Sequence, residues 1–388
     1  MREVVILGVG MTKFGISTQT MKEMFAQAAL EALDESGLEA RDLQALFVGN
    51  VLGDFEENQM NIAPFLASEI GLSVNAPATR YEGACASATV AIRHAALLVA
   101  SGVYDLVMAG GTERTTIMGT PLATKTFAMG SQSEYENFTG ITFPGVFGMV
   151  AHNYAHKYGL ALKHLKNCMA QVAVKNHYNG SLNPLAHFQK PITVEKVLRG
   201  AVIADPLQLL DCCPFSDGAA ALVLAEAGRF KSMVKKPVYV AGTGQGTAGA
   251  LYRQKDLTRL LAREASIKQA YTQAGVEPKD VDVCELHDCF TIAEIVASEA
   301  LGFFEFGQGA AAAERGDTSL QGKIPINPSG GLKAKGHPIG ATGAAQVYEI
   351  VKQLRGEAGS RQVEGAKIGV VDTLGGDFST VCNLVLRG

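Results

Sequence analysis

Four residues have side chains suited to nucleophilic catalysis, and small residues or turns surround each of them. Cys85 lies in "YEGACASATVAI", with no bulky neighbour beside it and a helical pattern directly after it. His287 and Cys289 lie in "ELHDCFTIAEI", on a predicted turn between a buried strand and a helix. His337 lies in the glycine-rich stretch "NPSGGLKAKGHPIGATGAAQ". In nucleophilic catalysis by a cysteine, a nearby imidazole takes the proton of the thiol.

Two further features fit that chemistry. Cys85 lies at the start of a predicted helix over residues 84–101, and a thiol at a helix N-terminus is expected to have a lowered pKa. The segment "DTLGGDFST" places a Gly-Gly turn after an apolar strand. Such a turn leaves backbone N–H groups available to stabilise an oxyanion. The sequence therefore predicts a nucleophile, a base and an oxyanion hole in one site.

The elements that must position these residues alternate between strands and helices. "VVILGVG" predicts a strand, "TMKEMFAQAALEALDESGL" predicts a helix, and "YDLVMAGGTE" predicts a further strand. This alternation is typical of an α/β fold, in which helices flank a sheet. Hydrophobic residues make up 47% of the chain and charged residues 19%, which is enough apolar material for a large core.

The same order of elements occurs twice along the chain. "EALDESGLEARDLQALFVGN" and "QAYTQAGVEPKDVDVCELHD" match at one constant offset, which places Gly37 opposite Gly275. "GACASATVAIRHAALLVASG" likewise resembles "GHPIGATGAAQVYEIVKQLRG". We therefore expect a duplicated α/β unit. Equivalent helix starts in two such halves can meet at the centre, so Cys85 and His337 are expected to lie close together.

The pattern changes in one region of the chain. Residues 113–207 are richer in Thr, Asn, Tyr and His and show little alternation, so we interpret them as an inserted loop (substrate) domain. The N-terminal half then comprises residues 1–112 plus about 208–236, and the C-terminal half comprises residues 237–388.

Composition and charge argue against several classes of protein. The formal net charge is −4 and no basic cluster occurs, which argues against a nucleic-acid partner. No segment resembles a signal peptide and no apolar run is expected to span a membrane, so we expect a cytoplasmic protein. The seven cysteines lack Cys-x-x-Cys spacing, so the sequence predicts neither a metal site nor a disulfide framework.

The motifs "GACAS", "HDCF", "GHPIGATG" and the final Gly-Gly turn, in this order, resemble the thiolase superfamily. "HDCF" is similar to the sterol-carrier-protein type of thiolase, related to acetyl-CoA acetyltransferases. The resemblance covers essentially the whole chain, including "DCCPFSDGAAALVLAEA". It implies the thiolase fold, with two duplicated α/β halves in a five-layered α-β-α-β-α arrangement and an inserted loop domain.

The resemblance also implies a role for each residue of the site. Cys85 would be acylated by the substrate, His337 would activate it, and His287 would help to form an oxyanion hole. Many thiolases carry a second catalytic cysteine in a C-terminal Cys-x-Gly motif, where this chain has a threonine. In the "HDCF" type, the cysteine of that motif, Cys289, takes over as acid and base. The backbone N–H groups of Cys85 and Gly375 would form the second oxyanion hole.

The implied activity is CoA-dependent acyl transfer through an acyl-cysteine intermediate, with coenzyme A as a substrate and no permanently bound cofactor. The enzyme would cleave 3-oxoacyl-CoA with CoA or condense two acyl-CoAs, with acetoacetyl-CoA as the default substrate. A decarboxylating condensing enzyme would need only Cys85 and the two histidines, so Cys289 favours a thiolase. A homodimer or tetramer is expected, because family members form such oligomers.

An alternative function is that of a thiolase-like subunit in a hetero-complex. The partner would be a small protein with an oligonucleotide-binding (OB) fold and a zinc ribbon. The substrate would be a bulkier, branched or aromatic 3-oxoacyl-CoA, or the enzyme would use another acyl acceptor.

Several other residues allow two interpretations. Phe147 and Met149 are candidates for contact with the acyl or pantetheine group, but core packing explains them equally well. Lys333 and Lys335 are candidates for contact with CoA phosphates, but exposed lysines usually face water. Core positions are expected for Cys168, Cys212, Cys213, Cys284 and Cys382. Surface or hydrogen-bonded core positions are expected for His152, His156, His164, His177 and His187.

Overall fold

The computed structural model describes residues 2–388, which form a mixed α/β fold. The strands are β1 Val4–Met11, β2 Leu46–Gly49, β3 Ala78–Tyr81, β4 Leu106–Arg114, β5 Val202–Ala204, β6 Leu207–Gln208, β7 Asp217–Glu226, β8 Val238–Thr247, β9 Val283–Glu285, β10 Ile368–Gly375 and β11 Thr380–Arg387. The helices are α1 Met21–Ser36, α2 Gly53–Glu56, α3 Ile62–Glu69, α4 Ser87–Ser101, α5 Gly119–Phe127, α6 Phe143–Lys157, α7 Leu162–Ser181, α8 Val194–Leu198, α9 Ala227–Phe230, α10 Leu261–Ala274, α11 Thr291–Ala300, α12 Gly309–Arg315, α13 Gly331–Ala334 and α14 Thr342–Arg355.

The sheet topology shows the duplication directly. The N-terminal half has the order β3-β2-β4-β7-β1, in which β7 runs antiparallel to both of its neighbours. The C-terminal half repeats this order as β9-β10-β11-β8, in which β11 runs antiparallel to both of its neighbours. At the position equivalent to β3, Ile326 forms a single β-bridge with Cys284 of β9. The two sheets are not separate, because Val5 and Ile6 of β1 pair with β8.

The helices form three layers around these sheets, as the resemblance to thiolases implied. The central layer consists of α4 and α14, and each of these two helices contacts strands of both halves. Helix α1 covers β1, β4 and β7 on one outer face, and α10 covers β8 and β11 on the other. Helices α4 and α14 approach closely at Gly343, where a β-carbon would overlap Thr89 Oγ1.

The residues that carry the sequence repeat are helix caps. Gly37 ends α1 and Gly275 ends α10, with φ angles of 69° and 66° in the left-handed region that glycine adopts without strain. The short 3₁₀ turns that follow begin at Glu39 and Glu277, and a capping box closes each of them. The repeat is therefore visible in sequence because both halves need the same chain reversals.

The chain between β4 and β7 is mainly helical, although the sequence there shows little clear periodicity. It contains α5 to α8 and a two-stranded ribbon, β5–β6. Helix α7, with 20 residues, packs against α11, α12 and α13 of the C-terminal half. The domain limits given above remain a prediction.

One helical segment has the length and composition of a membrane span. The helical segment Ala84–Ser101 is long and apolar enough, by length and composition alone, to cross a membrane. In the fold, 56% of this segment is buried, because α4 lies in the central layer between the two sheets. Its apolar composition therefore has an explanation in the packing of the protein itself.

Candidate active site

Cys85 lies in a 3₁₀ turn, Ala84–Ala86, between β3 and α4. Ala84 has a φ of 48°, a left-handed conformation that is uncommon for a residue with a β-carbon. Ser87 holds the turn, because its Oγ accepts the Gly83 N–H at 2.9 Å and donates to Ala84 O at 2.6 Å. The turn places the Cys85 thiol on the wall of a cavity.

His337 lies in the loop between α13 and α14, and its hydrogen bonds define its tautomer. Nδ1 lies 2.6 Å from Thr342 Oγ1, and that hydroxyl donates its own proton to Pro338 O at 2.9 Å. The hydroxyl must therefore accept a proton from Nδ1–H, which leaves Nε2 with a free lone pair. Burial, with a smaller contribution from Lys335, lowers the pKa of His337 to about 3. The imidazole is thus a neutral base at physiological pH.

The fold brings three of the expected residues together. Cys85 Sγ, one ring nitrogen of His287 and one ring nitrogen of His337 all lie within 4.8 Å of one another. The two imidazole rings meet edge to face, with centroids 5.1 Å apart and an interplanar angle of 85°. The expectation that the equivalent helix starts of the two halves meet is confirmed for this cluster.

His287 is neutral and offers a hydrogen-bond donor. Its Nδ1 is buried and has no hydrogen-bond partner among residues 2–388. An unpaired N–H would be costly there, so the proton belongs on Nε2. Burial, followed by the nearby His337 and Arg263, lowers the pKa of His287 well below its usual value. The ring is held from behind by its backbone N–H, which donates to Asp372 Oδ2 at 3.3 Å.

The thiol groups are protonated in the resting protein, so the expectation of a lowered pKa for Cys85 is wrong. Burial and then the charge of Glu113 raise the pKa of Cys85 to about 12, although two backbone N–H groups oppose this shift. Burial also raises the pKa of Cys289 well above its usual value, with smaller contributions from Cys213 and Cys85. The cost of desolvating a thiolate in this apolar site is greater than the stabilisation that a helix N-terminus gives to the thiolate.

The second oxyanion hole predicted at the backbone N–H groups of Cys85 and Gly375 stays a prediction. The N–H groups of Cys85 itself and of Gly376 oppose the rise in the pKa of the Cys85 thiol. Gly376 begins a left-handed turn, with a φ of 62°, and lines the cavity. Gly375 is still part of β10, where a β-carbon would overlap the Gly83 carbonyl oxygen. Gly375 therefore packs closely against the turn that carries Cys85, and Gly376 lines the cavity.

The cavity above Cys85 has a volume of about 540 Å³ and a mainly apolar lining. Cys289 and Phe147 belong to this lining, and Phe147 packs against Phe290 with ring centroids 4.6 Å apart. Met149 lies outside the lining and is 40% exposed, because two residues along a helix correspond to more than half a turn. The structure thus supports a contact with substrate for Phe147 and not for Met149.

Two cysteines that were expected in the core also line the cavity. Cys212 and Cys213 lie on the loop before β7, and the Cys213 N–H donates to Cys289 O at 2.9 Å. Their partial exposure results from the cavity, which one sequence does not reveal. Cys168, Cys284 and Cys382 are buried as expected.

Two buried carboxyl groups that the sequence analysis did not assign hold the loop that carries His337. Asp288 accepts the backbone N–H groups of Leu332 at 2.7 Å and Lys333 at 3.3 Å, and so fixes α13 before His337. Glu113 accepts the Gly340 N–H at 2.9 Å on the other side of that loop. Burial raises the pKa of each carboxyl group to about 7. Asp288 follows His287 in "HDCF", which was the available signal in the sequence.

Lys333 and Lys335 are buried and not exposed as expected. Each is 1% exposed. Lys335 Nζ forms an ion pair with Glu285 Oε2 at 3.2 Å, and Lys333 Nζ donates to Cys212 O at 2.5 Å. Both lysines therefore stabilise the loop that carries His337, and the prediction of contacts with CoA phosphates is not supported.

Two protein families match this chain. "Thiolase, N-terminal domain" matches residues 4–228, and "Thiolase C-terminal domain-like" matches residues 244–388. The chain belongs to the thiolase family. It is accordingly an acyltransferase of the thiolase type.

Relatives of this thiolase agree with the motifs. An "Acetyl-CoA acetyltransferase" of Methanothermobacter thermautotrophicus is 44% identical over 382 residues, which are 98% of each chain. "Sterol carrier protein 2" of Bos taurus is 33% identical over 404 residues, which cover 99% of this chain and 72% of the relative. Among solved structures, an "Ltp2-ChsH2(DUF35) aldolase" has a TM-score of 0.83 and 25% identity, with 100% of this chain and 98% of that chain covered.

In this thiolase, the threonine at the Cys-x-Gly position is a core residue. Thr373 is fully buried, and its hydroxyl lies 2.6 Å from Thr89 Oγ1 and donates to Gln346 Oε1 at 2.9 Å. Thr373 does not line the cavity, whereas Cys289 does. The position of the Cys-x-Gly motif therefore contributes no thiol to the cavity, whereas the "HDCF" position contributes Cys289.

Proposed function

We propose that this thiolase cleaves 3-oxoacyl-CoA with CoA, or condenses two acyl-CoAs, through an acyl-Cys85 intermediate. Acetoacetyl-CoA is the default substrate, because the 44% identical relative is named an acetyl-CoA acetyltransferase. The observation that carries the proposal is the cluster of Cys85 Sγ and two imidazole nitrogens within 4.8 Å, at an apolar cavity. Coenzyme A acts as a substrate, and the reaction needs no further cofactor.

The first half of the cleavage forms the acyl enzyme. His337 Nε2 takes the proton of the Cys85 thiol, and the sulfur attacks the 3-oxo carbonyl carbon. The backbone N–H groups of Cys85 and of the Gly375–Gly376 segment stabilise the alkoxide that forms. The bond between C2 and C3 then breaks, which leaves acyl-Cys85 and the enolate of acetyl-CoA. His287 Nε2–H and protonated His337 bind the thioester oxygen of that enolate.

Cys289 completes both halves of the reaction. Its raised pKa keeps it protonated in the free enzyme, so it first acts as an acid and protonates C2 of the enolate. The resulting thiolate then takes the proton of CoA–SH. The CoA sulfur attacks acyl-Cys85, and the departing Cys85 sulfur recovers its proton from His337. In the Claisen direction the same steps run in reverse, and Cys289 acts as the base at C2.

A second candidate function has one supporting observation. The chain has a TM-score of 0.83 to a structure named "Ltp2-ChsH2(DUF35) aldolase". We propose as the alternative that this chain works with a small OB-fold/zinc-ribbon partner. The cavity of about 540 Å³ is larger than an acetyl group requires, which favours a bulkier acyl chain in that case.

The remaining assignments rest on the family alone. We propose a homodimer or tetramer in the cytoplasm, with acyl-CoA as the small-molecule partner. Size-exclusion chromatography with light scattering would determine the oligomeric state.

The decisive experiment measures the intact mass of the protein after brief exposure to acetoacetyl-CoA. We expect an acetyl adduct on the wild type that is absent from Cys85→Ala. Cys213→Ala is the matched control, because it removes another thiol from the same cavity, and it should retain the adduct. An adduct that persists in Cys85→Ala would refute Cys85 as the nucleophile. If neither acetoacetyl-CoA nor longer 3-oxoacyl-CoAs give an adduct, addition of the small partner becomes the test of the alternative.

A second variant separates the role of Cys289 from that of Cys85. Acetyl transfer from acetyl-CoA to Cys85 can proceed without Cys289, because water can protonate the departing CoA thiolate, whereas C–C bond formation needs a base at C2. Cys289→Ala should therefore still become acetylated by acetyl-CoA but should form no acetoacetyl-CoA. Normal condensation by this variant would show that another group acts at C2.

A further inference from the structure

A second cluster of potential ligands lies outside the active site. His164 and Cys168 are four positions apart on α7, so both side chains lie on one face of that helix. Glu314 on α12 lies opposite them. The Cys168 sulfur, a His164 ring nitrogen and a Glu314 carboxylate oxygen all lie within 4.8 Å of one another. The proposed catalytic mechanism does not involve any of these three residues.

The spacing of these atoms is close to that of ligands around one tetrahedral metal ion. Zinc binds thiolate sulfur at about 2.3 Å and imidazole nitrogen or carboxylate oxygen at about 2.0–2.1 Å, which places tetrahedral ligand atoms about 3.3–3.6 Å apart. His164 Nε2 lies 3.8 Å from Cys168 Sγ and 3.5 Å from Glu314 Oε2. Small side-chain movements would therefore complete three bonds to one ion.

The burial of the three residues also suits a metal site. Cys168 is fully buried, while the side chains of His164 and Glu314 are 44% and 46% exposed. An ion would thus have sulfur on its protein side and an open path to solvent on the other side. A water molecule could supply the fourth ligand from there. The donor set of one thiolate, one imidazole and one carboxylate matches the ligands that zinc prefers over magnesium or calcium.

We propose that His164, Cys168 and Glu314 bind a zinc ion that connects α7 to α12. Helix α7 belongs to the segment between β4 and β7, and α12 belongs to the C-terminal half, so the ion would link these two parts. Cys168 coordinates as a thiolate, and its proton passes to solvent on binding. Since the ion binds only the folded arrangement, zinc stabilises the folded state.

The active-site cluster is the main competing location, because Cys85, His287 and His337 also lie within 4.8 Å of one another. An ion there would block the thiol and inhibit acyl transfer. The test must therefore separate the two clusters. Co²⁺ is a suitable probe, because its visible ligand-field bands report tetrahedral geometry and its near-ultraviolet charge-transfer band reports a bound thiolate.

The experiment titrates full-length metal-free protein with Co²⁺ and then displaces it with Zn²⁺. We expect one thiolate-bearing Co²⁺ site in both the wild type and Cys85→Ala. His164→Ala and Cys168→Ser should each weaken binding by more than the about 10- to 100-fold loss that outer-shell changes cause. His152→Ala is the matched control, because His152 forms an exposed pair with Asp205 without a third ligand, and it should bind as the wild type does.

Thermal unfolding supplies an independent measurement. At a zinc concentration of about 100 times Kd, the melting temperature of the wild type should rise by about 3 °C for a chain of this size. The rise should be absent in His164→Ala, whose folding in the absence of metal is checked by its acyl-transfer activity. A Co²⁺ thiolate signal that is lost in Cys85→Ala but kept in His164→Ala would overturn the proposal, as would the absence of any such signal in the wild type.

Discussion

The hydrogen bond between His337 and Thr342 offers a direct test of how the fold prepares the base. Thr342→Val keeps the shape of the side chain but removes the oxygen that lies 2.6 Å from Nδ1. The buried Nδ1–H would then have no acceptor, which costs about 1–3 kcal/mol. Because the other tautomer escapes this cost, the proton moves to Nε2 and the base loses its lone pair towards Cys85. At 1.36 kcal/mol per factor of ten, we expect acylation about 5- to 150-fold slower.

The assay is single-turnover formation of acyl-Cys85 from acetoacetyl-CoA, followed by rapid quenching and intact mass measurement. The KM should change little, because Thr342 does not line the cavity. Thr89→Val is the matched control, since it removes a buried hydroxyl that bonds to Thr373 and has no contact with the imidazole. Thr342→Ser should restore the rate. If Thr342→Val and Thr89→Val acylate equally fast, the proposed orienting role of Thr342 is refuted.

Three further predictions concern packing, charge and pH. Phe147→Ala should cost about 3–5 kcal/mol of stability and raise the preference for longer acyl chains. Met149 is exposed, so Met149→Ala should change neither property. Denaturant titration would measure the stability, and a series of substrates of increasing chain length would measure the preference. Lys335→Met should cost about 3–5 kcal/mol, because Glu285 stays buried without its cation, and an increased KM for CoA would contradict our assignment of a structural role. Burial raises the pKa of Glu113 from 4.5 to about 7, so the folded state binds more protons than the unfolded state and stability falls as pH rises. Stability should therefore fall as the pH rises through about 7, and an unchanged pH slope in Glu113→Gln would refute that origin.

The motifs contain much of the site, because local chemistry determines which residues can occupy its turns. Cys85, His287 and His337 were assigned from short segments with small or glycine neighbours, and the fold brings these three residues together. The duplication was also visible, because Gly37 and Gly275 must end equivalent helices in a left-handed conformation. Residues in tight turns and caps depend mainly on their own segment, so one sequence is enough to recognise them.

Burial and orientation, in contrast, depend on segments that are distant in the chain. The helix start at Cys85 suggested an acidic thiol, but the surrounding cavity and Glu113 raise its pKa instead. In the sequence, Lys335 resembles a surface lysine, but in the fold it is buried and forms an ion pair with Glu285, which is 50 residues away in the chain. In the sequence, Cys213 resembles a core residue, but in the fold it lines the cavity.

The sequence by itself therefore determined the class of fold, the duplication and the identity of the reactive groups. These follow from periodicity, caps and motifs, each of which acts over a few residues. Only the tertiary structure decided the protonation of the thiols, the position of Gly376 at the cavity, and the pairing of α7 with Glu314. The physical reason is that desolvation and charge are properties of a three-dimensional environment, to which several separate segments contribute at once.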